Sequence, residues 1–458
     1  MSKVAPIPAA AEETTDVLLL KFESGSFGLQ GEGITTITFA DTADRLAATA
    51  WLKQRLALVA ASNPWLCGTI VKEPQHGSLY ALRYPSTVAS VDQIFAEPEE
   101  QLPADATYVE LVAAVKKSGA TLPIGKKLFQ TQQPISKLTV VPSATGLVMV
   151  FSVSHMVANG GTYMQILNML ASQSSPITAL SPVRKQECYD KIPEVVGKTQ
   201  HAYMMGDIGS IFNALGKLMC GTKPVPHCFI VDDDALKVAR EQASASFGAK
   251  CSANDVLTSG LRPEAHPYLS PRSSALPPPH AFPPHALSDR FPPPRPSALL
   301  AGFANAVKPR LLNMACDFKG RIDGLTMNDA GNYHLGLYFD PQGYAQPGGI
   351  RSAIKSAAPM SRAALPGCCE GTFCKTAIIT SWAGFIGLNV LGCTQTMHVP
   401  CADIASVLVK ALDGTAIVFN PRPGKVAILC CVKGVEPSEL RASMPLGDAL
   451  DPKLWPVV

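Results

Sequence analysis

The run VMVFSVS at residues 148–154, followed by HMVANGG at 155–161, is the most informative stretch of the chain. Seven consecutive residues from Val148 to Ser154 have the β-branched, aromatic and apolar character of a strand. A glycine-rich turn follows, and Tyr163, Ile166, Leu167 and Leu170 then fall on one side of a helix. His155 is therefore expected at a strand's end, held by a turn before a helix. An imidazole with a pKa near 6.5 is mostly neutral at pH 7 and can take a proton from an alcohol or an amine. The same spacing also suits a histidine bonded within its own turn. Gly160 and Gly161 serve that turn, or else let a substrate approach the backbone.

Working outward toward the N-terminus, residues 44–61 place Leu46, Trp51, Leu52, Leu56 and Val59 at helical spacing, with Asp41 and Thr42 as N-cap candidates. Asn63-Pro64 and Gly68 then signal a turn before a strand at Thr69-Ile70-Val71. Further strands are expected near residues 77–84 and 137–154. In the other direction, residues 210–230 read as a transition between two halves. DDDALKVAREQASA begins with acids and carries its bases later, as the helix dipole favours. Ser252 and Asp255 form a capping box for VLTSGL. Strands are expected in NMACDFKGRIDGL, in NDAGNYHLGLYF and around 376–382, 394–399 and 415–431, with a helix near 348–357. Helices and strands without regular βαβ alternation argue an α+β architecture.

Between these halves, the 34 residues from Pro263 to Pro296 contain 12 prolines. Proline removes donors and fixes φ, so neither a helix nor a central strand is expected there. Three readings are open: a docking segment for an aromatic-lined partner groove, an insertion without function, or translated non-coding sequence.

Composition sets the outer limits. The chain has 458 residues, 47% of them hydrophobic, enough for a sizeable core. Only 16% are charged and the formal net charge is +3, so no basic field is available to hold nucleic acid. The N-terminus has two glutamates before a four-residue apolar run, unlike a secretory signal. Thr376 to Ala402 carries no formal charge but is interrupted by Ser381, Asn389, Gln395, His398 and Pro400, so buried strands and loops are expected rather than a span. The 13 cysteines include no C-x-x-C and read as reduced thiols of a cytoplasmic protein, with no metal site. Gly197-Lys198-Thr199 lacks the upstream glycine of a phosphate loop, Gly31-x-Gly33 lacks a third glycine, and neither G-x-S-x-G nor H-E-x-x-H occurs.

The segment S-H-M-V-A-N-G-G resembles the H-x-x-x-D-G signature of the chloramphenicol-acetyltransferase-like superfamily, which includes the BAHD acyltransferases and the condensation domains of peptide synthetases. Further landmarks appear in the family's order. NPWLCGTIV resembles the early P-x-L-x-G-R entry, and SANDVLTS the helix after the inter-domain crossover. DFKGRIDGL…AGN at 317–332 is similar to the D-x-R-x-R … GN strand and turn, and TSWAGF at 380–385 to the late S-W strand.

The resemblance implies a two-domain α+β fold with paired mixed sheets and a tunnel at their interface. Its parts would be an N-terminal subdomain at 1–185, a crossover at 186–230 and a C-terminal subdomain at 231–458, interrupted by a proline-rich insert at 263–298. It implies an acyltransferase that moves an acyl group from a thioester to an alcohol or amine, with His155 as general base, acyl-CoA as cosubstrate (a carrier-protein thioester being the alternative donor), no bound cofactor, a small-molecule acceptor and a monomeric chain. Asn159 stands where the family has a structural Asp paired with an arginine, and Lys319 or Arg321 would be the partner here. An amide in that place loses the charge-assisted part of the bond. Asn332 reads first as a turn-former after Gly331 and Trp382 first as core, each with a place in the substrate tunnel as the alternative. Ser154 before His155 leans away from the branch with two adjacent histidines. The D-F-G-W-G motif is missing, and no oxyanion stabiliser can be picked out. Two other classes stay open: a catalytically silent relative that binds a hydrophobic ligand in the same tunnel, and a scaffold that works through the proline block.

Overall fold

The computed structural model describes residues 13–73, 79–99, 101–102, 106–206, 208–259, 302–355, 363–384, 392–402, 406–444 and 446–449. The proline-rich insert expected at 263–298 and part of the expected 77–84 strand lie outside the described residues. The described strands are β1 (Thr14–Leu18), β2 (Gly33–Thr42), β3 (Thr69–Lys72), β4 (Tyr80–Pro85), β5 (Phe95–Ala96), β6 (Ser136–Pro142), β7 (Gly146–Ser154), β8 (Val225–Val231), β9 (Leu311–Asp317), β10 (His334–Phe339), β11 (Thr376–Ser381), β12 (Cys393–Pro400), β13 (Gly414–Phe419), β14 (Ala427–Val432) and β15 (Leu446–Ala449).

These strands form a small sheet, β1-β4-β3, and two large ones, β12-β2-β7-β6-β5 and β10-β9-β11-β13-β14-β8-β15. Both large sheets are mixed. β11 runs parallel to β9 and β13, and β5 runs parallel to β6, while the remaining pairs are antiparallel. Strand β7 lies mid-sheet, and all nine of its residues are buried. Met149, Phe151 and Val153 face one apolar cluster of the first half. Val148 and Val150 face another, which also holds Ile417, Phe419 and Leu429 of the second large sheet. A strand covered on both faces reads as a continuous apolar run rather than an alternation, and the VMVFSVS composition follows.

Strand β12 crosses the expected division of the chain. It comes from the second half yet pairs antiparallel with β2, from Cys393 opposite Thr42 to Pro400 opposite Thr36. The Thr376–Ala402 stretch thus holds β11 and β12, with residues 385–391 outside the described set. No helix among the described residues is long and apolar enough to cross a membrane.

Two local expectations need correction. The helix Arg45–Ser62 is capped by Asp44, whose carboxylate accepts from the Ala47 N–H at 2.9 Å. Asp41 and Thr42 are not the cap, because both still belong to β2. Its buried face is Ala48, Leu52, Arg55, Leu56 and Val59, whereas Leu46 stands 79% exposed. Buried Arg55 was not expected there; its Nε donates to the Met169 carbonyl at 2.8 Å, tying this helix to the one that follows β7. The capping box of Ser252 and Asp255 is present as read. Asp255 also accepts from Arg351 Nε at 2.8 Å, a contact that links it to the helix Pro347–Lys355.

Within the β12–β2 seam, His398 is buried and its Nδ1 lies 2.8 Å from Thr38 Oγ1. Burial pushes its pKa down to about 4, against about 6.5 in an unfolded chain. The folded protein therefore holds His398 neutral where the unfolded chain is protonated. Its contribution to stability is complete above pH 6.5 and declines as pH falls toward 4, by up to about 1.4 kcal/mol per pH unit. Urea midpoints measured between pH 7.5 and 4.5 should fall below pH 6.5, and His398→Asn should flatten part of that fall.

Candidate active site

His155 follows the last residue of β7, at the point where the first large sheet meets the second. Its Nδ1 lies 3.1 Å from Asn332 Oδ1. Asn332 sits two residues before β10 and is fully buried. The Asn332 Nδ2 donates to the His155 carbonyl at 2.8 Å and to Glu23 Oε1 at 3.1 Å. Both partners accept only, so the amide orientation is fixed and Oδ1 must face the ring. An acceptor there makes Nδ1 the protonated nitrogen and leaves the lone pair on Nε2.

Behind Asn332 lies a buried ion pair. Glu23, in the loop after β1, accepts from the Asn332 N–H at 2.9 Å, the Leu20 N–H at 2.9 Å and Arg184 Nε at 2.8 Å. The Glu23 and Arg184 side chains are 0% and 3% exposed. Arg184 also donates to the carbonyls of Pro182, Ala330 and Val157. Two of these bonds, to Val157 and Ala330, tie the guanidinium to the turn that follows His155 and to the segment that leads into Asn332. Burial lowers the His155 pKa below its ordinary value, while hydrogen bonds to backbone carbonyls and Asn332, and the Glu23 charge, pull the other way.

Asn159 caps the helix Gly160–Ala171: its Oδ1 accepts from the Thr162 N–H at 2.9 Å. The expected partners do not reach it. Lys319 is buried, but its ammonium donates to Thr162 Oγ1 at 2.9 Å and pairs with Asp317 at 3.6 Å. Burial lowers its pKa, partly offset by Asp317. Arg321 is exposed and donates to the Ile354 carbonyl at 2.8 Å. The cation nearest in this network, Lys319, is thus already matched by Asp317. Gly161 packs directly on Asp317: a Cβ there would strike Asp317 Oδ2 and lie 3.4 Å from Asn159 Oδ1. The amide and the Asp317 carboxylate share one small space, which already holds a neutralised Asp317–Lys319 pair. Gly160 and Gly161 are the first two residues of this helix and not part of the turn before it, because the Asn159 cap already starts the helix ahead of them. Trp382 is partly buried and packs against two of the apolar clusters.

Four site residues escaped the sequence reading: Glu23, Arg184, Phe22 and His334. His334 opens β10, and its ring lies 5.4 Å from that of His155, tilted by 30°. Phe22 packs edge-on to His334 and stacks on Tyr189. Burial, with added repulsion from His155 and Lys319, drives the His334 pKa down to about 3. Only the GN turn at 331–332 offered a sequence signal near these groups. A cavity of about 650 Å³ lies beside this site, lined by Gly33, Lys116, Ile124, Lys127, Ser136 and Lys137 among others; His155 is not in its lining. No cluster of three potential metal ligands occurs among the described residues.

No protein-family model matches the chain. No curated protein matches it in sequence. Among solved structures, it is similar to F. graminearum TRI101 complexed with coenzyme A and deoxynivalenol, at 13% identity and a TM-score of 0.54 over 92% of this chain and 95% of that one. F. sporotrichioides TRI101 complexed with coenzyme A and T-2 matches at 12% identity and a TM-score of 0.54, over 91% and 95%. The first condensation domain of the CDA synthetase matches at 11% identity and a TM-score of 0.53, over 95% and 98%. At these identities the likeness concerns the fold, which is the two-domain chloramphenicol-acetyltransferase-like arrangement of mixed sheets.

Three variants probe this site. Glu23→Gln leaves Arg184 as a buried, unneutralised cation and should cost roughly 3–5 kcal/mol in chemical unfolding. Asn159→Asp adds a net charge beside the Asp317–Lys319 pair and should destabilise by about 1–3 kcal/mol. The double variant Asn159→Asp/Asp317→Asn should recover most of that loss, as expected of groups that share one space.

Proposed function

We propose that the protein transfers an acyl group from an acyl-coenzyme A thioester to an alcohol or amine acceptor, with His155 as general base. The observation that carries this reading is the bond from His155 Nδ1 to Asn332 Oδ1. It gives Nε2 the lone pair, burial keeps the ring neutral, and the residue stands at the junction of the two large sheets. A neutral imidazole oriented by an amide is equipped to remove a proton. The shared fold supports the choice of donor, since the TRI101 structures hold coenzyme A together with a second small molecule.

In this reading Nε2 accepts the proton of the acceptor hydroxyl or amine as that group attacks the thioester carbonyl. The carbonyl π electrons move to oxygen, and the tetrahedral intermediate collapses by breaking its C–S bond. The imidazolium returns its proton to the departing thiolate, so coenzyme A leaves as a thiol. His155 ends neutral, and no acyl-enzyme is needed. Asn332 acts as a positioning residue, with Glu23 and Arg184 holding it in place. The subdomains at 1–185 and 231–458 would form the two walls of the substrate tunnel, the first bringing His155 and the second Asn332. Asn159 has a sufficient role as helix cap, so its replacement of an acid leaves the base intact.

The test is mass-spectrometric detection of free coenzyme A over a panel of acyl-coenzyme A donors and mixed alcohol and amine acceptors. His155→Ala should lower acceptor-dependent release by about 10²- to 10⁴-fold. In the wild type, the acid-side fall of kcat/KM should have its midpoint below the ordinary histidine range, because burial lowers the His155 pKa. Equal release by wild type and His155→Ala across the panel would overturn the assignment.

A further inference from the structure

We propose that His334 is a second catalytic residue, its ring N–H donating a hydrogen bond to the thioester oxygen as negative charge develops there. The inference rests on the acyltransfer reading above and names a group that reading lacks. Four observations support it.

The first is position. His334 is the opening residue of β10 in the second large sheet, and His155 follows the end of β7 in the first. The two rings approach from opposite walls, with centroids 5.4 Å apart. A base lies about 2.6–3.2 Å from the oxygen or nitrogen it deprotonates, and an oxyanion donor about 2.7–3.1 Å from the oxyanion. The attacking atom and the oxyanion are both bonded to one carbon. Two imidazoles at this separation can therefore bracket a single tetrahedral centre.

The second is charge state. His334 is kept neutral by burial and by its neighbours His155 and Lys319, with a pKa near 3. It is therefore unsuited to carry a proton in the working pH range, which separates its role from that of His155. A neutral imidazole nonetheless always bears one N–H.

The third is rigidity. Phe22 packs edge-on against the ring, and Tyr189 stacks behind Phe22. The strand pairing of His334 with Asp317 fixes the backbone beneath it. A donor that is already oriented before charge develops needs no reorganisation, which is the condition under which such a bond accelerates a reaction. The fourth is access: His334 is partly exposed, unlike Asn332 two residues earlier, while its Nδ1 is buried, so the N–H offered to the oxygen is that of Nε2.

The step balances with the scheme already given. Acceptor oxygen or nitrogen forms a bond to the carbonyl carbon, its proton goes to His155 Nε2, and the π pair goes to the oxygen facing His334. Collapse of that oxyanion re-forms the carbonyl and expels the thiolate.

The experiment pairs kinetics with a probe that does not turn over. Acetonyl-coenzyme A labelled with ¹³C at its ketone carbonyl reports hydrogen-bond donation by a downfield shift on binding. The expected result is a downfield shift in the wild type that His334→Ala abolishes. In parallel, kcat should fall about 10²- to 10³-fold, with the donor KM changed by less than about threefold. His334→Gln, whose amide N–H reaches about where Nε2 lies, should recover part of both signals. The same carbonyl shift in wild type and His334→Ala, or a loss confined to KM, overturns the proposal. Failure of the wild type to bind the ketone overturns the acyl-coenzyme A reading itself, and this inference falls with it.

Discussion

The Glu23 carboxylate gathers Arg184, both N–H groups of Asn332 and the Leu20 N–H in a place that water does not reach. A carboxylate so enclosed is tolerable only because its lone pairs are met and its charge is opposed. The arrangement works in both directions. Glu23 comes from the loop after the first strand, Arg184 from the segment leaving the first half, and Asn332 from the turn into β10. The carboxylate thus draws three distant pieces of chain to one point. What emerges on the far side of Asn332 is a single acceptor oxygen aimed at His155 Nδ1. The tautomer of the candidate base is therefore decided by charge buried two residues deep, and every other feature of the site assumes it.

Around that point the two sheets are joined by different means. Thr162 Oγ1 receives the Lys319 ammonium, linking the helix Gly160–Ala171 to the end of β9. Gly161 lets the same helix come down onto Asp317. Apolar side chains of β7 meet those of β13 and β14 in one cluster. The polar contacts fix direction and the apolar ones supply most of the stabilisation, as burial of large side chains generally does.

The sequence made the local elements legible wherever one period dominated. The β7 run, the helix after it and the Ser252 capping box each announce themselves within ten residues. His155 was legible for the same reason, since its strand, turn and glycines are contiguous. Asn332 appeared as a turn residue because a turn is all that its immediate neighbours encode; its bond to His155 spans 177 residues. Glu23 lies among ordinary loop residues, and nothing in their pattern distinguishes a carboxylate bound for the interior from one bound for solvent. Lys319 and Arg321 were legible as cations near the right place. Which of two nearby cations turns inward, and toward which acceptor, depends on packing of the 317–325 loop, which carries no periodic signal. His334 alternates correctly for a strand, yet its approach to His155 exists only once the two sheets have met.

Strand β12 has a consequence for how the chain reaches this state. Its His398 sits against Thr38 of β2, 360 residues earlier. During synthesis, β2 can pair with β7 soon after both emerge, but its other edge must wait for almost the whole chain. An unpaired edge of this kind is a template for association with other chains. Closing so long a loop is also slow, because its entropy is spent before any contact returns it. The first sheet, although begun early, is therefore completed only when β12 emerges, with only β13 to β15 of the second sheet still to come. The interval between β7 and β12 is the period in which a nascent chain of this protein most needs a chaperone.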